Sequence, residues 1–231
     1  MTSILDIARR PASSRRHVNL EAPFLAASAL TFLKPRLKAL VHPLAAWLAS
    51  VGVTANQVTL ASLAGSIIVG GLFYANPGNT MLFALLPLWL SIRTVCAALD
   101  GMLAIEFGQK SRLGGVLNEV GDIVSDIALF LPLTFVAPFS ANSVIFLVSL
   151  IACAEIAGIL APVFGSARRL EGPLGKADRS IILATLGALI ALFGGLPESA
   201  HLLLPLLYGG LMLTIWNRLR FAIADEDNTK V

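Results

Sequence analysis

Charge is scarce in this chain. Asp, Glu, Lys and Arg make up 13% of its 231 residues, against roughly a quarter in an average soluble domain. That deficit excludes an ordinary water-facing surface. With 56% hydrophobic residues and a mean hydropathy of +0.80, the chain is a membrane protein by composition. Cysteine is limited to Cys96 and Cys153, both within apolar stretches; they read as small buried hydrophobes, not as a disulfide or a metal pair. His17, His42 and His201 are scattered and form no metal or triad pattern. No cleavable leader is expected: "MTSILDIARRPASSRRH" carries its charges after a very short apolar run, and no small-residue cleavage site follows. No internal repeat or low-complexity tract divides the chain. One membrane domain is expected over 28–222, between a basic N-terminal segment 1–27 and a tail 223–231.

What is present is long apolar runs. A bilayer-spanning helix needs about 20 mostly apolar residues, and six stretches qualify: 56–74, 80–104, 114–137, 142–165, 178–195 and 198–221. The basic residues test this division. Arg9, Arg10, Arg15, Arg16, Lys34, Arg36 and Lys38 precede the first stretch. Lys110 and Arg112 lie in the second connection, and Arg168, Arg169, Lys176 and Arg179 in or beside the fourth; Arg218, Arg220 and Lys230 close the chain. The first, third and fifth connections ("ANPGNT", "APFSAN", "GLPES") have no basic residue. So 16 of the 17 basic residues fall on one side, and the positive-inside rule puts that side in the cytoplasm. The expected fold is all-α and integral to the membrane, with six transmembrane helices and both termini cytoplasmic. "TFLKPRLKALVHPLAAWLASVGVT" mixes Lys34, Arg36, Lys38 and His42 with Leu, Val and Trp, which predicts an amphipathic helix lying in the interface. The net charge of +3 reflects this membrane-facing basicity; nothing points to nucleic acid.

Ionisable residues inside apolar runs are costly, about 2.5–3.5 kcal/mol each at mid-bilayer on insertion scales, and commonly face a bundle interior. The candidates here are Arg93, Asp100, Asp122, Asp126 and Glu155, with Asn118 beside them. Arg93 and Asp100 share one helix face; Asn118, Asp122 and Asp126, four apart, share another. At 1.5 Å per residue, Arg93 lies about 10 Å deeper than Asp100, and Asp126 about 12 Å deeper than Asn118. This predicts a shallow polar layer (Asp100, Asn118, Asp122) and a deeper one (Arg93, Asp126, Glu155). The deep layer reads as a structural ion pair, Arg93 with Asp126. The shallow layer opens to the cytoplasm, and its clustered oxygens suit Mg²⁺ or Mn²⁺.

The stretch from Ala97 to Asp122 resembles the CDP-alcohol phosphatidyltransferase family, whose pattern reads D-x-x-D-G-x-x-A-R-x8-G-x3-D-x3-D. Asp100, Gly101, Ala104, Gly114 and Asp122 match; Ala97, Ile105 and Asn118 stand where the family has Asp, Arg and Asp. "TANQVT", with Asn56 and Thr59, resembles the family's start of the first span, and "GPLGKADRS" its basic connection. The resemblance covers about residues 35 to 221.

It implies a transferase of phospholipid biosynthesis that moves the phosphatidyl group of a CDP-linked lipid, such as CDP-diacylglycerol, to an alcohol acceptor with release of CMP. Mg²⁺ or Mn²⁺ would neutralise the diphosphate and activate phosphorus. Asp100, Asn118 and Asp122 would hold the metal, with Asp122 also the base for the acceptor hydroxyl. Asn56, Thr59, Gly101, Ala104 and Gly114 would face the nucleotide and diphosphate. Lys176 and Arg179, at the start of the fifth span, would contact acceptor or substrate phosphate. The expected compartment is a bacterial inner membrane, and the small residues of "LASLAGSIIVGG" suit close helix packing or a homodimer face.

The departures cut the other way. Ala97 and Asn118 each remove a carboxylate, and Ile105 removes a cation. Glu106, Glu119 and Asp126 are the nearby acids that could compensate, although Glu119 points about 100° away from Asn118. Two rivals therefore stand beside the transferase: a catalytically impaired relative that binds CDP-lipid or a partner enzyme, and a small transporter using the intramembrane charges as a path.

Overall fold

The computed structural model describes residues 34–163 and 172–229. Segment 1–27, with Arg9, Arg10, Arg15 and Arg16, therefore lies outside the described residues, as do Arg168, Arg169 and Lys230. The described chain is helical throughout: α1 (Lys34–Ser50), α2 (Ala55–Ala75), α3 (Leu85–Ile105), α4 (Arg112–Phe130), α5 (Ala141–Val163), α6 (Lys176–Phe193) and α7 (Leu203–Thr229). Short 3-10 turns precede α3 and α7 and follow α4.

Each boundary has a local cause. Gly52 takes a positive φ of 82°, which a residue with a Cβ adopts poorly. It lets the chain turn out of α1 into Thr54. Thr54 then caps α2: its Oγ1 accepts from Gln57 N–H at 3.3 Å, and Gln57 Oε1 accepts from Thr54 N–H at 2.9 Å. This is a capping box that satisfies two otherwise orphaned donors. Ser111 caps α4 by accepting from Gly114 N–H at 2.9 Å. Asp178 in the first turn of α6 accepts from Gly175 N–H at 3.1 Å.

Helices α2 to α7 correspond one for one to the six expected apolar stretches. Among the described residues, four helical stretches are long and apolar enough to cross a membrane: Ala55–Ala75, Thr80–Ile105, Ala141–Leu160 and Glu198–Arg220. Helices α4 and α6 fall outside that group because they carry charge, Arg112, Glu119, Asp122 and Asp126 on one, Lys176, Asp178 and Arg179 on the other. Helix α1 buries Val41 and Ala45 against Leu99 and Met102 of α3 and leaves Leu40 and Trp47 exposed.

The bundle packs α2 against α3 and α4, α5 against α4 and α7, and α6 against α3. Its core includes Phe73, Phe83, Leu86, Leu129, Leu147, Leu183 and Leu211. Gly70 lets the backbones of α2 and α4 approach closely, because a Cβ there would lie 2.2 Å from the Ala128 carbonyl oxygen. Outward faces are apolar, with Ile68, Leu192, Leu206 and Trp216 exposed, whereas Arg93, Asp126, Glu155, Arg179 and Arg218 are buried. A surface of that kind suits lipid, and buried charge of that kind requires partners.

Candidate functional site

Four helix ends meet at one mouth of the bundle: the end of α3 and the starts of α2, α4 and α6. Between them lies a cleft of about 410 Å³. All eight positions of the motif line it, the three substituted ones included: Ala97, Asp100, Gly101, Ala104, Ile105, Gly114, Asn118 and Asp122. Asn56, Thr59 and Lys176 line it as well. Glu106 and Glu119 do not. Glu106 instead turns to α1, where it lies 3.5 Å from His42 Nε2.

Thr59 Oγ1 donates to Asp100 Oδ2 at 2.9 Å, joining the N-terminal part of α2 to the C-terminal part of α3. Asn56 sits against Gly114: a Cβ on Gly114 would come within 2.5 Å of Asn56 Oδ1, so glycine is what lets α4 approach there. Gln109, which the sequence reading passed over, closes the arrangement. Its Oε1 accepts from Ala55 N–H at 2.7 Å and its Nε2 donates to Val53 O at 3.3 Å, so the α3–α4 connection is tied to the start of α2. Nothing in "FGQKS" marked that residue, since a lone glutamine in a short polar connection has no periodicity to read. Three helix N-termini thus border the cleft, and their first-turn N–H groups and dipoles favour an anion.

Beneath the cleft runs a chain of ion pairs. Lys176 Nζ donates to Asp122 Oδ1, and Arg93 Nη2 reaches the same oxygen at 3.3 Å. Arg93 Nη1 donates to Asp126 Oδ1 at 2.6 Å. Arg179 Nη2 donates to Asp126 Oδ2 at 2.9 Å and to Glu155 Oε1 at 2.6 Å. Arg218 Nη1 donates to Ala154 O and lies 3.5 Å from Glu155 Oε1.

The geometry corrects two expectations. Arg179 was placed among the phosphate contacts; it does not line the cleft, and at 3% exposure its guanidinium is committed to Asp126, Glu155 and the Leu174 carbonyl. Arg218, counted among the basic residues that close the chain, is 1% exposed within α7. The two polar layers are also not separate, because Asp122 belongs to both.

The donors in the cleft are all oxygen: Asp100, Asn118 and Asp122. That chemistry suits Mg²⁺ or Mn²⁺. Among the described residues no group of three His, Cys, Asp or Glu side chains assembles, and Ala97 offers no ligand. The set fits a single hard cation.

No family profile matches the chain. It is 40% identical over 188 residues to the inner membrane protein YnbA of Escherichia coli K12, an alignment spanning 81% of this chain and 93% of that protein. It is 28% identical over 190 residues to phosphatidylinositol phosphate synthase of Mycolicibacterium smegmatis, spanning 78% of this chain and 82% of the synthase. Among solved structures, Mycobacterium tuberculosis phosphatidylinositol phosphate synthase with CDP-DAG bound superposes with a TM-score of 0.65 at 23% identity, covering 80% of this chain and 94% of that one. The same synthase in complex with manganese and citrate gives 0.63 at 23% identity, over 78% of this chain and 87% of that one. At such identity the likeness establishes a shared fold.

Proposed function

The chain belongs to the CDP-alcohol phosphatidyltransferase family, and we propose that it transfers the phosphatidyl group of a CDP-linked lipid to an alcohol acceptor, releasing CMP. One observation carries the reading: all eight motif positions, divided between α3 and α4, face one cleft.

The acceptor oxygen attacks the lipid-bearing phosphorus, the bond from that phosphorus to the CMP phosphate breaks, and the acceptor proton passes to Asp122. The oxygen available for it is Oδ2, since Lys176 and Arg93 both hold Oδ1. Thr59 fixes Asp100, and Asn56 with Gly114 shapes the wall where the nucleotide enters. Lys176, on the cleft wall, faces the diphosphate. A divalent ion on Asp100 and Asn118, Mg²⁺ or Mn²⁺, would neutralise diphosphate charge and polarise phosphorus.

The proposed setting is a bacterial inner membrane, with α2 to α7 crossing it, α1 in the interface and both termini cytoplasmic. Two things support this. The ends of α2, α3, α4 and α6 that meet at the cleft all fall on the cytoplasmic side of that topology, and the relative from E. coli is an inner membrane protein. A homodimer face would use the outer side of α2. Gly71 there has nothing within 4 Å of its Cβ position, whereas Gly65 and Gly70 pack on Trp89 and Ala128.

A second reading, a relative that binds CDP-lipid without turnover, is favoured by Asp122 Oδ1 being engaged by two cations. Purified protein supplied with CDP-diacylglycerol, Mn²⁺ and a panel of alcohols separates the two. Acceptor-dependent CMP release is expected with at least one alcohol. Tight CDP-diacylglycerol binding with no CMP from any alcohol would leave the binding reading in its place.

A further inference from the structure

Asp122 stands at the junction of two charge systems. Toward the cleft, its Oδ1 takes the Lys176 ammonium; inward, the same oxygen takes Arg93. From Arg93 the contacts continue through Asp126, Arg179 and Glu155 to Arg218. Two cations thus already contact the Asp122 carboxylate before any ligand arrives. A divalent ion placed beside it would meet two positive groups along with the carboxylate, and repulsion between such neighbours is strong where water is scarce.

Asp100 differs. Its side chain accepts from the neutral Thr59 hydroxyl, and among the described residues no cationic side chain forms an ion pair with it. Of the two carboxylates that line the cleft among the described residues, Asp122 is ion-paired and Asp100 is not. Lys176, meanwhile, is 33% exposed on the same cleft wall, so its ammonium is open to a ligand while being held by Asp122.

We propose that the cleft takes one divalent cation, on Asp100 with Asn118 beside it, and that the Lys176 ammonium clamped on Asp122 supplies the second positive centre for the diphosphate. This rests on the transferase reading and assigns the counter-charges of its site. Ala97 has a physical sense in that arrangement. A carboxylate at that position would favour a second ion, which the lysine would oppose.

Mn²⁺ titration of the purified full chain, followed by loss of the free-ion EPR signal, tests it without any turnover. One Mn²⁺ per protein is expected for the wild type and for Lys176→Arg, and loss of that binding for Asp100→Asn. Lys176→Met should tighten Mn²⁺ about tenfold, and the double variant Ala97→Asp with Lys176→Met should take two ions. Thermal melting of each variant confirms folding, and Lys176→Gln serves if the Met variant melts early. Two ions in the wild type, one in the folded double variant, or none in the wild type would each overturn the proposal. Parallel binding of CDP-diacylglycerol tells which account has failed. Retained binding without the expected Mn²⁺ count sinks only the charge assignment, and absent binding sinks the transferase reading too.

Discussion

Arg93 Nη1 meets Asp126 Oδ1 at 2.6 Å between α3 and α4, and with its other terminal nitrogen Arg93 holds both the side chain and the carbonyl of Asp122 at 3.3 Å. A single guanidinium thereby holds both Asp126 and Asp122, the residue proposed as the base. Its own orientation is set in turn from below, because Asp126 is locked by Arg179.

Removing Arg93 would leave Asp126 short of one buried partner. Arg93→Ala should therefore destabilise the protein by about 3–5 kcal/mol, the usual cost of breaking a buried pair. Lys176→Ala should cost under about 1 kcal/mol, because that partner is partly exposed and solvent screens it. Chemical or thermal unfolding in one detergent compares the two; equal losses would contradict the ranking.

Gly70 and Gly71 are neighbours with opposite surroundings. A Cβ at Gly70 runs into the Ala128 carbonyl, while one at Gly71 meets nothing. Gly70→Ala should cost about 1–3 kcal/mol by overpacking, and Gly71→Ala should be neutral or gain up to about 1 kcal/mol from helix propensity. Melting temperatures of the pair in one detergent check this.

Thr59 contributes one hydrogen bond to Asp100. Thr59→Val keeps the shape and removes the donor, a change worth about 0.5–1.5 kcal/mol, or roughly 3–10-fold in activity. The half-saturating Mn²⁺ concentration should shift along with the rate, and Thr59→Ser should restore both. A rate loss with unchanged metal dependence would show that Thr59 acts elsewhere.

Gln109 makes two bonds that tie the α3–α4 connection to α2. Its side chain lines the cleft rim without touching Asp100 or Asp122. Gln109→Ala should raise KM for CDP-lipid several-fold and change kcat little, since about 1–2 kcal/mol of positioning is lost and no reacting group is removed. Steady-state kinetics over a CDP-diacylglycerol range in mixed micelles distinguish the two parameters.

The helices were legible because each is a long apolar run bounded by turn or capping residues, as in "GVTANQ" before α2 and "QKSRLGG" before α4. The motif residues were legible because their spacing is helical and local. The ion-pair chain was only partly so. Arg93 and Asp126 are 33 residues apart on α3 and α4, consecutive helices in the chain, and depth matching brought them together. Lys176 and Asp122 are 54 apart, and Arg218 and Glu155 are 63 apart, on helices whose adjacency the sequence does not state. That Arg179 and Arg218 are buried was not legible, because counting charges near helix ends cannot tell an exposed arginine from a buried one. What separates them is a carboxylate on another helix.

The central claim is that the cleft performs phosphatidyl transfer, and CMP release from CDP-diacylglycerol in the presence of Mn²⁺ tests it most directly. Comparing wild type with Asp122→Asn, the account predicts release that depends on an added alcohol and falls at least about a hundredfold in the variant, the scale of losing a positioned base. Release that is independent of any alcohol, or equal in wild type and variant, would contradict it.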